Sequence, residues 1–220
     1  MSRENLQDGG AFPPAESRWR EAWRFLRAFL RSPGTVGAVW PSSSHLAGRM
    51  LEGHPLETAR TVVELGPGTG AFTRHVVPRL GRETLFLAIE LDAEVARRLE
   101  AAFPRVRVVN DSATRLEAIL QSHGASRADS IISGIPWAAM PAALQREILT
   151  QVARVLAPEG RFSTFAYVQS PYTRKGAACA RLLRELFGEV RRSPVVWRNL
   201  PPAFVYHCTR PRPPAATIPA

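Results

Sequence analysis

Short runs of apolar residues alternate along this chain with longer segments in which apolar residues recur every three or four positions. The run from Thr61 to Leu65 is rich in β-branched residues and is followed by glycine, which predicts a buried parallel strand. The same pattern predicts six more strands: Leu85 to Glu90, Val106 to Asn110, Ser130 to Ser133, Arg161 to Val168, Val190 to Val196 and Phe204 to Cys208.

Helical periodicity fills the gaps between these strands. The predicted helices are Ala71 to Leu80, Ala93 to Ala102, Ala113 to Gln121, Pro141 to Leu156 and a last helix that ends at Gly188. Asp92 is placed to cap the second helix, and Pro141 suits the first turn of the fourth. Strands and helices that alternate in this way predict an α/β protein with a doubly wound, mostly parallel seven-stranded sheet, helices on both faces and a hairpin-like pair at the end.

The length of the chain allows one main domain with appendages. Of its 220 residues, 45% are hydrophobic, which is enough for one large core. We assign residues 46–210 to the α/β domain and residues 15–45 to an amphipathic helix followed by a loop. Residues 1–14 and 211–220 are rich in proline, glycine and small residues, and we predict that they are disordered tails.

The net charge of +10 indicates an anionic partner: a nucleic acid, an anionic lipid surface or an acidic protein. Charge alone does not choose among these. No apolar run has the length that crosses a bilayer, and the first residues lack a secretory signal, so we expect a cytoplasmic protein. Cys179 and Cys208 lie far apart without a Cys-x-x-Cys motif, which favours apolar packing over a disulfide or a metal site.

A glycine-rich turn follows the first strand. Gly66, Gly68 and Gly70 let the backbone approach a ligand closely and present N–H groups at the start of the next helix. Glu64 precedes the turn, and Glu90 ends the second strand, where a carboxylate has two acceptor oxygens for the hydroxyls of a ribose. These residues predict a nucleoside-containing ligand and leave its identity open.

The spacing Gly-x-Gly-x-Gly after an acidic residue differs from the dinucleotide motif and resembles motif I of class I S-adenosylmethionine-dependent methyltransferases. This resemblance implies a Rossmann-like fold, S-adenosyl-L-methionine as the cofactor and S-adenosyl-L-homocysteine as the product. It further implies a set of cofactor contacts along the carboxyl edge of the sheet: Glu64, Gly66, Gly68, Gly70, Phe72, Thr73, Glu90, Leu91, Asp111, Ser112, Ala113 and Ser133.

Two of the later strands end in residues with candidate chemistry. Asp111 follows the third strand, where it can accept a hydrogen bond from the adenine amine while the next backbone N–H meets an adenine ring nitrogen. It can also cap the next helix, and both roles can hold together. The segment from Ser133 to Trp137 follows the fourth strand, from which methyltransferases address the acceptor atom. A simple turn made by its Gly and Pro is the weaker alternative, because Trp137 fits no periodic core pattern.

The fourth strand separates two related families that the chain resembles. Ribosomal RNA adenine N6-dimethyltransferases carry Asn-Leu/Ile-Pro-Tyr/Phe there, because the Asn carboxamide accepts from the amine of a flipped base. This chain has Gly134-Ile135-Pro136-Trp137 instead, which resembles the bacterial phospholipid N-methyltransferases. The chain also continues too briefly after its last strand for the RNA-binding domain of the dimethyltransferases.

The segment before the first strand points to the same family. Ala15 to Arg31 can form a helix with tryptophan, phenylalanine and leucine on one face and arginines on the other, which suits a membrane interface. Packing of this helix across the domain's own sheet is the alternative. The following loop resembles the Pro-Ser-Ser stretch of the phospholipid enzymes, and we expect Ser43 and Ser44 to line the cofactor or headgroup pocket, or to cap the next helix.

The resemblance implies methyl transfer to the amine of phosphatidylethanolamine and its mono- and dimethyl forms, toward phosphatidylcholine, at the inner face of the cell membrane. Aromatic faces attract the methylated ammonium, and the candidates for this common lining are Trp40, Trp137, Tyr167 and Tyr206. Arg198 can hold a lipid phosphate or be an exposed loop arginine. The candidate catalytic residues are Trp40, Ser133, Trp137, Tyr167, Arg198 and Tyr206. The expected partners are an anionic phospholipid surface and a lipid substrate, with no metal and no nucleic acid. RNA adenine methylation and methylation of another amine-containing lipid or small molecule are the alternatives.

Overall fold

The computed structural model describes residues 44–212. The predicted amphipathic helix, Trp40, Ser43, the first predicted tail and all but two residues of the second lie outside this range. None of the helices within residues 44–212 combines the length and the apolar character that a membrane span requires.

One seven-stranded sheet forms the centre of the described part. Its strands are β1 (Thr61–Leu65), β2 (Leu85–Glu90), β3 (Arg107–Asn110), β4 (Ala128–Ser133), β5 (Leu156–Tyr167), β6 (Phe187–Arg192) and β7 (Ala203–Pro211). They are arranged in the order β3-β2-β1-β4-β5-β7-β6. The first five strands run parallel, and β7 is antiparallel to both β5 and β6. The predicted doubly wound, mostly parallel sheet is confirmed.

Between residues 44 and 212, six α-helices connect and cover the strands: α1 (Ser44–Met50), α2 (Thr73–Val76), α3 (Ala93–Ala102), α4 (Leu116–Ser122), α5 (Ala142–Val155) and α6 (Arg174–Leu186). The larger core lies between one face of the sheet and α4, α5 and α6. The second core lies on the other face, under α1, α2 and α3. Parallel strands buried on both faces explain why their sequences are apolar runs without alternation.

Several boundaries differ from the predicted ones where a neighbouring residue intervenes. The helix after the glycine turn is short, and a 3-10 turn from Val77 to Arg79 that contains Pro78 follows it, because proline lacks the N–H that would continue the helix. A 3-10 turn also precedes α4. Asp92 does cap α3, since its carboxylate accepts hydrogen bonds from the N–H groups of Glu94 and Val95.

The last strands depart most from prediction. β5 begins directly where α5 ends. The last helix ends at Leu186 and not at Gly188, and the strand predicted near Val190 to Val196 is shifted to Phe187–Arg192. Phe187 starts the strand because its ring stacks on Phe162 in the larger core, at 5.7 Å between centroids. Pro211 pairs with Phe187 and so belongs to β7 and not to a tail.

Candidate active site

The glycine turn after β1 contains a space that is open to a ligand. Gly66, Gly68 and Gly70 have φ angles of 65°, 56° and 77°, a region that side-chain-bearing residues rarely occupy. A Cβ on Gly70 would lie 2.6 Å from the Phe103 ring, whereas a Cβ on Gly68 would have no neighbour within 4 Å. Gly70 is therefore fixed by packing, and Gly68 borders open space at the carboxyl edge of the sheet.

Glu90 lies at the end of β2, beside the turn. Its two carboxylate oxygens accept hydrogen bonds from the N–H groups of Gly68 at 3.2 Å and Asp92 at 3.0 Å. The side chain is 7% exposed, and its burial raises the pKa of the carboxyl group above the ordinary value. Each carboxylate oxygen has a second lone pair, so Glu90 can still accept from a ribose hydroxyl while it holds the turn in place.

Asn110, which was not among the predicted contacts, positions Glu90. Its side-chain amide donates to the backbone carbonyl groups of Glu90 and Leu91, both at 2.9 Å, and so joins the ends of β2 and β3. Leu91 therefore contributes its carbonyl group to this brace. The signal in the sequence was weak, because an asparagine before Asp111 is equally typical of a turn.

Glu64 is fully buried one residue before the end of β1. The register of β1 with β2 aligns Glu64 with Ala88, so Glu64 and Glu90 face the same side of the sheet. The Thr73 hydroxyl, which is itself fully buried, donates to Oε2 of Glu64 at 2.7 Å, whereas Oε1 of Glu64 has no hydrogen-bond partner. Burial raises the pKa of this carboxyl to about 7, against the opposing effect of the Thr73 bond.

A buried carboxylate oxygen without a partner has a free-energy cost unless a cation or a donor reaches it. Glu64 therefore fits a ligand that carries positive charge, and the open space at Gly68 and the carboxylate of Glu90 fit its ribose. Thr73 acts on such a ligand only through Glu64. Phe72, which was also a predicted contact, is buried in the second core and packs edge-on against Phe165 at 6.1 Å.

The protonation of Glu64 makes a prediction for stability. Its pKa is about 7 in the folded chain against an ordinary value of 4.5, so the folded state binds the proton more tightly than the unfolded state. The free energy of unfolding without ligand should then fall by up to about 3 kcal/mol as the pH rises from 4.5 to 7, and stay level above that range.

Urea denaturation at pH 5 and pH 7.5 measures this effect as a difference between wild type and Glu64→Gln. Taking this difference cancels the contributions of the other titrating groups to the pH dependence. One of these groups is His54, whose pKa is lowered to about 3 by burial. The wild type should lose more stability than the variant on going to pH 7.5. Equal losses would show that Glu64 is ionised in the folded protein throughout this range.

The segment after β3 gives Asp111 local partners. Its Oδ1 accepts from the Ser112 N–H at 2.7 Å, and its Oδ2 pairs with Arg115 at 2.8 Å. The helix cap is Ser112, whose hydroxyl accepts from the Thr114 N–H at 3.3 Å. Asp111 is partly exposed and Ala113 is buried. The N–H expected to meet an adenine ring nitrogen is thus bonded to Asp111, and an adenine would have to displace that bond.

The end of β4 touches the glycine turn backbone to backbone. The Gly134 N–H donates to the Leu65 carbonyl at 2.8 Å, and a Cβ built on Gly134 would lie 2.5 Å from the carbonyl oxygen of Gly66. Ser133 is fully buried, and its hydroxyl accepts from the Ile135 N–H at 3.3 Å. Glycine at position 134 is therefore required by space.

Trp137 has a core partner that its sequence context did not reveal. Its indole N–H donates to the Thr164 hydroxyl at 2.7 Å, and its side chain is only 4% exposed within the larger core. The expectation that this tryptophan lies outside any core pattern is wrong, because β5 supplies a buried hydroxyl that satisfies the indole. Trp137, close after the end of β4, is therefore a residue of the larger core.

The two candidate tyrosines lie on opposite faces of the sheet. Tyr206 pairs with Thr164 across β5 and β7, and Tyr167 lies three residues beyond Thr164. Tyr206 is buried in the larger core, where its hydroxyl accepts from Arg192 at 3.0 Å. Tyr167 packs edge-on against Phe165 at 5.5 Å, on the side of Glu64 and Glu90. The expected common lining by both tyrosines is therefore wrong, and only Tyr167 lies on the ligand side.

Arg198 comes close to the start of α1. Its guanidinium Nη1 lies 3.3 Å from Nε2 of His45, and both side chains are exposed. Ser44, a predicted pocket residue, is the first residue of α1, directly before His45, and is also exposed. His45 is a second residue that sequence reasoning did not assign, since 153 positions separate it from Arg198.

Within residues 44–212, histidine, cysteine, aspartate and glutamate side chains form no group of three that could hold a metal ion. Cys179 and Cys208 are buried free thiols, as their expected packing role requires. Burial raises the pKa of Cys179 to about 12, so this thiol stays protonated near neutral pH.

Comparisons with known proteins agree with this geometry. Residues 62–160 match the family model described as a methyltransferase domain. The chain is 34% identical over 194 residues to an ornithine lipid N-methyltransferase of Singulisphaera acidiphila, which covers 86% of this chain and 96% of that protein. It is 47% identical over 62 residues to ribosomal RNA small subunit methyltransferase A of Acidobacterium capsulatum, which covers 27% of this chain and 21% of that protein.

Among solved structures, an O-methyltransferase from Bacillus cereus in complex with SAH has the same fold. The TM-score is 0.61 at 13% identity, over 90% of this chain and 93% of that chain. The relation to the Singulisphaera protein spans nearly its whole length, and the glycine turn, Glu64 and Glu90 fit the implied cofactor. The chain therefore belongs to the class I S-adenosylmethionine-dependent methyltransferases, in the family that includes ornithine lipid N-methyltransferase, and S-adenosylmethionine is its cofactor.

Proposed function

We propose that this protein methylates the amine of a membrane lipid, either phosphatidylethanolamine and its partly methylated forms or an ornithine-type lipid. The observation that carries the proposal is the 34% identity to an ornithine lipid N-methyltransferase across 96% of that protein. Phosphatidylethanolamine remains the acceptor that the Ser-Gly-Ile-Pro and Pro-Ser-Ser motifs favour. On either substrate the protein would act in lipid biosynthesis at the inner face of the cell membrane.

The end of β4 supports a lipid amine over the amine of a nucleobase. Recognition of adenine by the related RNA enzymes depends on a carboxamide at the position of Gly134. The contact of Gly134 with the Gly66 carbonyl leaves no room for any side chain there. A primary alkylamine needs no planar recognition of this kind, because its nitrogen has no ring edge to be read.

When bound, S-adenosylmethionine supplies an electrophilic methyl group on a positively charged sulfur. The chain's own part is to hold a neutral amine in line with that group and to exclude water. The lipid ammonium must first lose a proton, and partial desolvation at the sheet edge lowers the pKa of an ammonium. Tyr167 cannot serve as the base in its ionised form near neutral pH, because burial raises the pKa of its hydroxyl.

Two features of the carboxyl edge fit a lipid headgroup. The Phe165 and Tyr167 rings lie on the ligand side and can attract the ammonium that gains charge and methyl groups. Arg198, beside His45, can pair with a headgroup anion, which is a phosphate in phosphatidylethanolamine and a carboxylate in an ornithine lipid. Both headgroups therefore carry an amine and an anion within reach of one another.

Purified protein incubated with vesicles and isotope-labelled S-adenosylmethionine tests the proposal. One vesicle preparation contains phosphatidylethanolamine, a second contains an ornithine lipid, and ribosomal RNA serves as the competing acceptor. We expect mass increments of one, two or three methyl groups on at least one lipid and none on RNA. Label on RNA with no label on either lipid contradicts the proposal, and the ratio between the two lipids identifies the acceptor.

A further inference from the structure

The loop between β6 and β7 exposes large apolar side chains. Trp197 is 74% exposed and Leu200 is 65% exposed, while most tryptophan and leucine surface in a folded domain is buried. Tyr172, which follows β5, is 91% exposed. These three are the exposed large hydrophobic residues of the part of the chain described, residues 44–212.

Hydrogen bonds close this loop and fix its tip outward. Val196 and Ala203 exchange backbone bonds of 2.7 and 3.5 Å at its base, and the Asn199 N–H donates to the Val196 carbonyl at 3.2 Å. The Asn199 side chain, which is buried, donates to the Pro201 carbonyl at 2.8 Å. Residues 196–203 are hereafter called the tip loop. These hydrogen bonds hold the residues between and beside Trp197 and Leu200, so the two apolar side chains stay exposed to solvent.

The tip loop lies at the edge of the sheet where the ligand site opens. Ala203 pairs with Tyr167 at the carboxyl end of β5, and the Val168 N–H donates to the Pro202 carbonyl at 3.1 Å. Arg198, at the tip, reaches His45 near the start of α1. The exposed apolar residues thus adjoin the edge at which Glu64, Glu90 and Tyr167 are arranged.

The segments that form this edge carry mostly positive charge. Residues 160–184 and residues 190–212 contain no aspartate or glutamate. They contain cations near the edge: Arg174, Lys175, Arg192 and Arg198. Arg191 also lies there, but Glu189 pairs with it at 3.2 Å. An apolar tip within a cationic surface matches an anionic bilayer, whose headgroups attract arginine and whose acyl boundary accepts tryptophan and leucine.

We propose that the tip loop inserts Trp197 and Leu200 into the interface of an anionic phospholipid bilayer, with Arg198 between them at the lipid phosphates. This inference rests on the proposed function, because docking here turns the ligand site toward the membrane and lets a lipid amine enter without leaving the bilayer. A bilayer is favoured over a protein partner because Trp197 and Leu200 are exposed on a surface whose charge is mostly positive. Protein interfaces, in contrast, offer a shaped apolar pocket to each anchor.

The test compares three full-length proteins by flotation with vesicles that contain a quarter phosphatidylglycerol. The Trp197→Ala/Leu200→Ala variant removes both apolar side chains, and the Trp197→Phe/Leu200→Ile variant keeps the apolar surface as a matched control. We expect the alanine variant to bind vesicles at least about tenfold more weakly than wild type, and the control to bind within about threefold of wild type. Equal binding by all three proteins overturns the proposal.

Further measurements distinguish bilayer docking from a loss of catalysis, from a failure of the proposed function and from dimerisation. Methylation of the lipid dispersed in detergent should proceed within about twofold of wild type in the alanine variant, because no bilayer has to be engaged. A wild-type protein that floats through the tip loop but methylates no lipid leaves the docking surface intact and contradicts the proposed function. Light scattering that shows a wild-type dimer and a monomeric alanine variant would assign the tip loop to a second copy and overturn the proposal.

Discussion

Cofactor affinity should fall about 30- to 150-fold when Glu90 is replaced by glutamine. The carboxylate can accept from both hydroxyls of a ribose, and an amide loses one acceptor oxygen and the negative charge. Charge-assisted hydrogen bonds contribute about 2 to 3 kcal/mol in such a setting, which corresponds to that loss of affinity. Isothermal calorimetry with S-adenosylhomocysteine measures the change directly.

The kinetic consequence of Glu90→Gln should be specific. The ribose lies apart from the transferred methyl group, so the KM for S-adenosylmethionine should rise by a similar factor while kcat at saturation changes by less than about threefold. Glu100→Gln is the matched control, because Glu100 is exposed on α3 and its replacement removes the same charge. If both variants bind the product with wild-type affinity, Glu90 does not contact the cofactor.

A methyl group at position 134 should have the second large effect. We expect Gly134→Ala to reduce methyl transfer by at least about 100-fold and to lower the free energy of unfolding by about 2 to 3 kcal/mol. The added Cβ would stand 2.5 Å from the Gly66 carbonyl oxygen, so the end of β4 and the glycine turn must separate. Both flank the site, and a displacement of this size misaligns donor and acceptor.

Gly48→Ala provides the control for Gly134→Ala. Gly48 is an exposed helical residue of α1, and a Cβ there meets no atom within 4 Å. The substitution should leave activity unchanged and raise the free energy of unfolding by up to about 1 kcal/mol, because alanine favours helix. Thermal denaturation measures the stability of both variants, and a methylation assay compares their activities with that of the wild type. Wild-type activity in Gly134→Ala would contradict the prediction, because it would show that the glycine turn can move without a loss of methyl transfer.

Local chemistry in the chain predicted the first half of the fold well. The bounds of β1, β2 and α3 agree with their predicted positions, and Asp92 caps α3 as expected. Glu64 and Glu90 were identified because each ends or precedes the end of a strand beside glycines. Such signals lie within a few residues of one another, so they do not depend on how distant segments pair.

The second half depended on contacts between distant segments. Trp137 was misjudged because its hydrogen-bond partner, Thr164, lies 27 positions away on another strand. Tyr167 and Tyr206 were grouped because both follow or form late strands, but the antiparallel pairing of β7 with β5 sends them to opposite faces. A shift of pairing by one residue would have reversed that outcome, and nothing in either local sequence specifies the register.

The sequence by itself determined that the chain alternates strands and helices, that a glycine turn opens beside two acidic residues, and that no carboxamide follows the fourth strand. The tertiary structure decided that Glu64 is buried with an unpaired oxygen, that Gly134 touches the turn, and that Arg198 meets His45. The physical reason is range: propensity and motif spacing act between neighbours, whereas burial, pKa shifts and strand faces depend on which distant elements pack together.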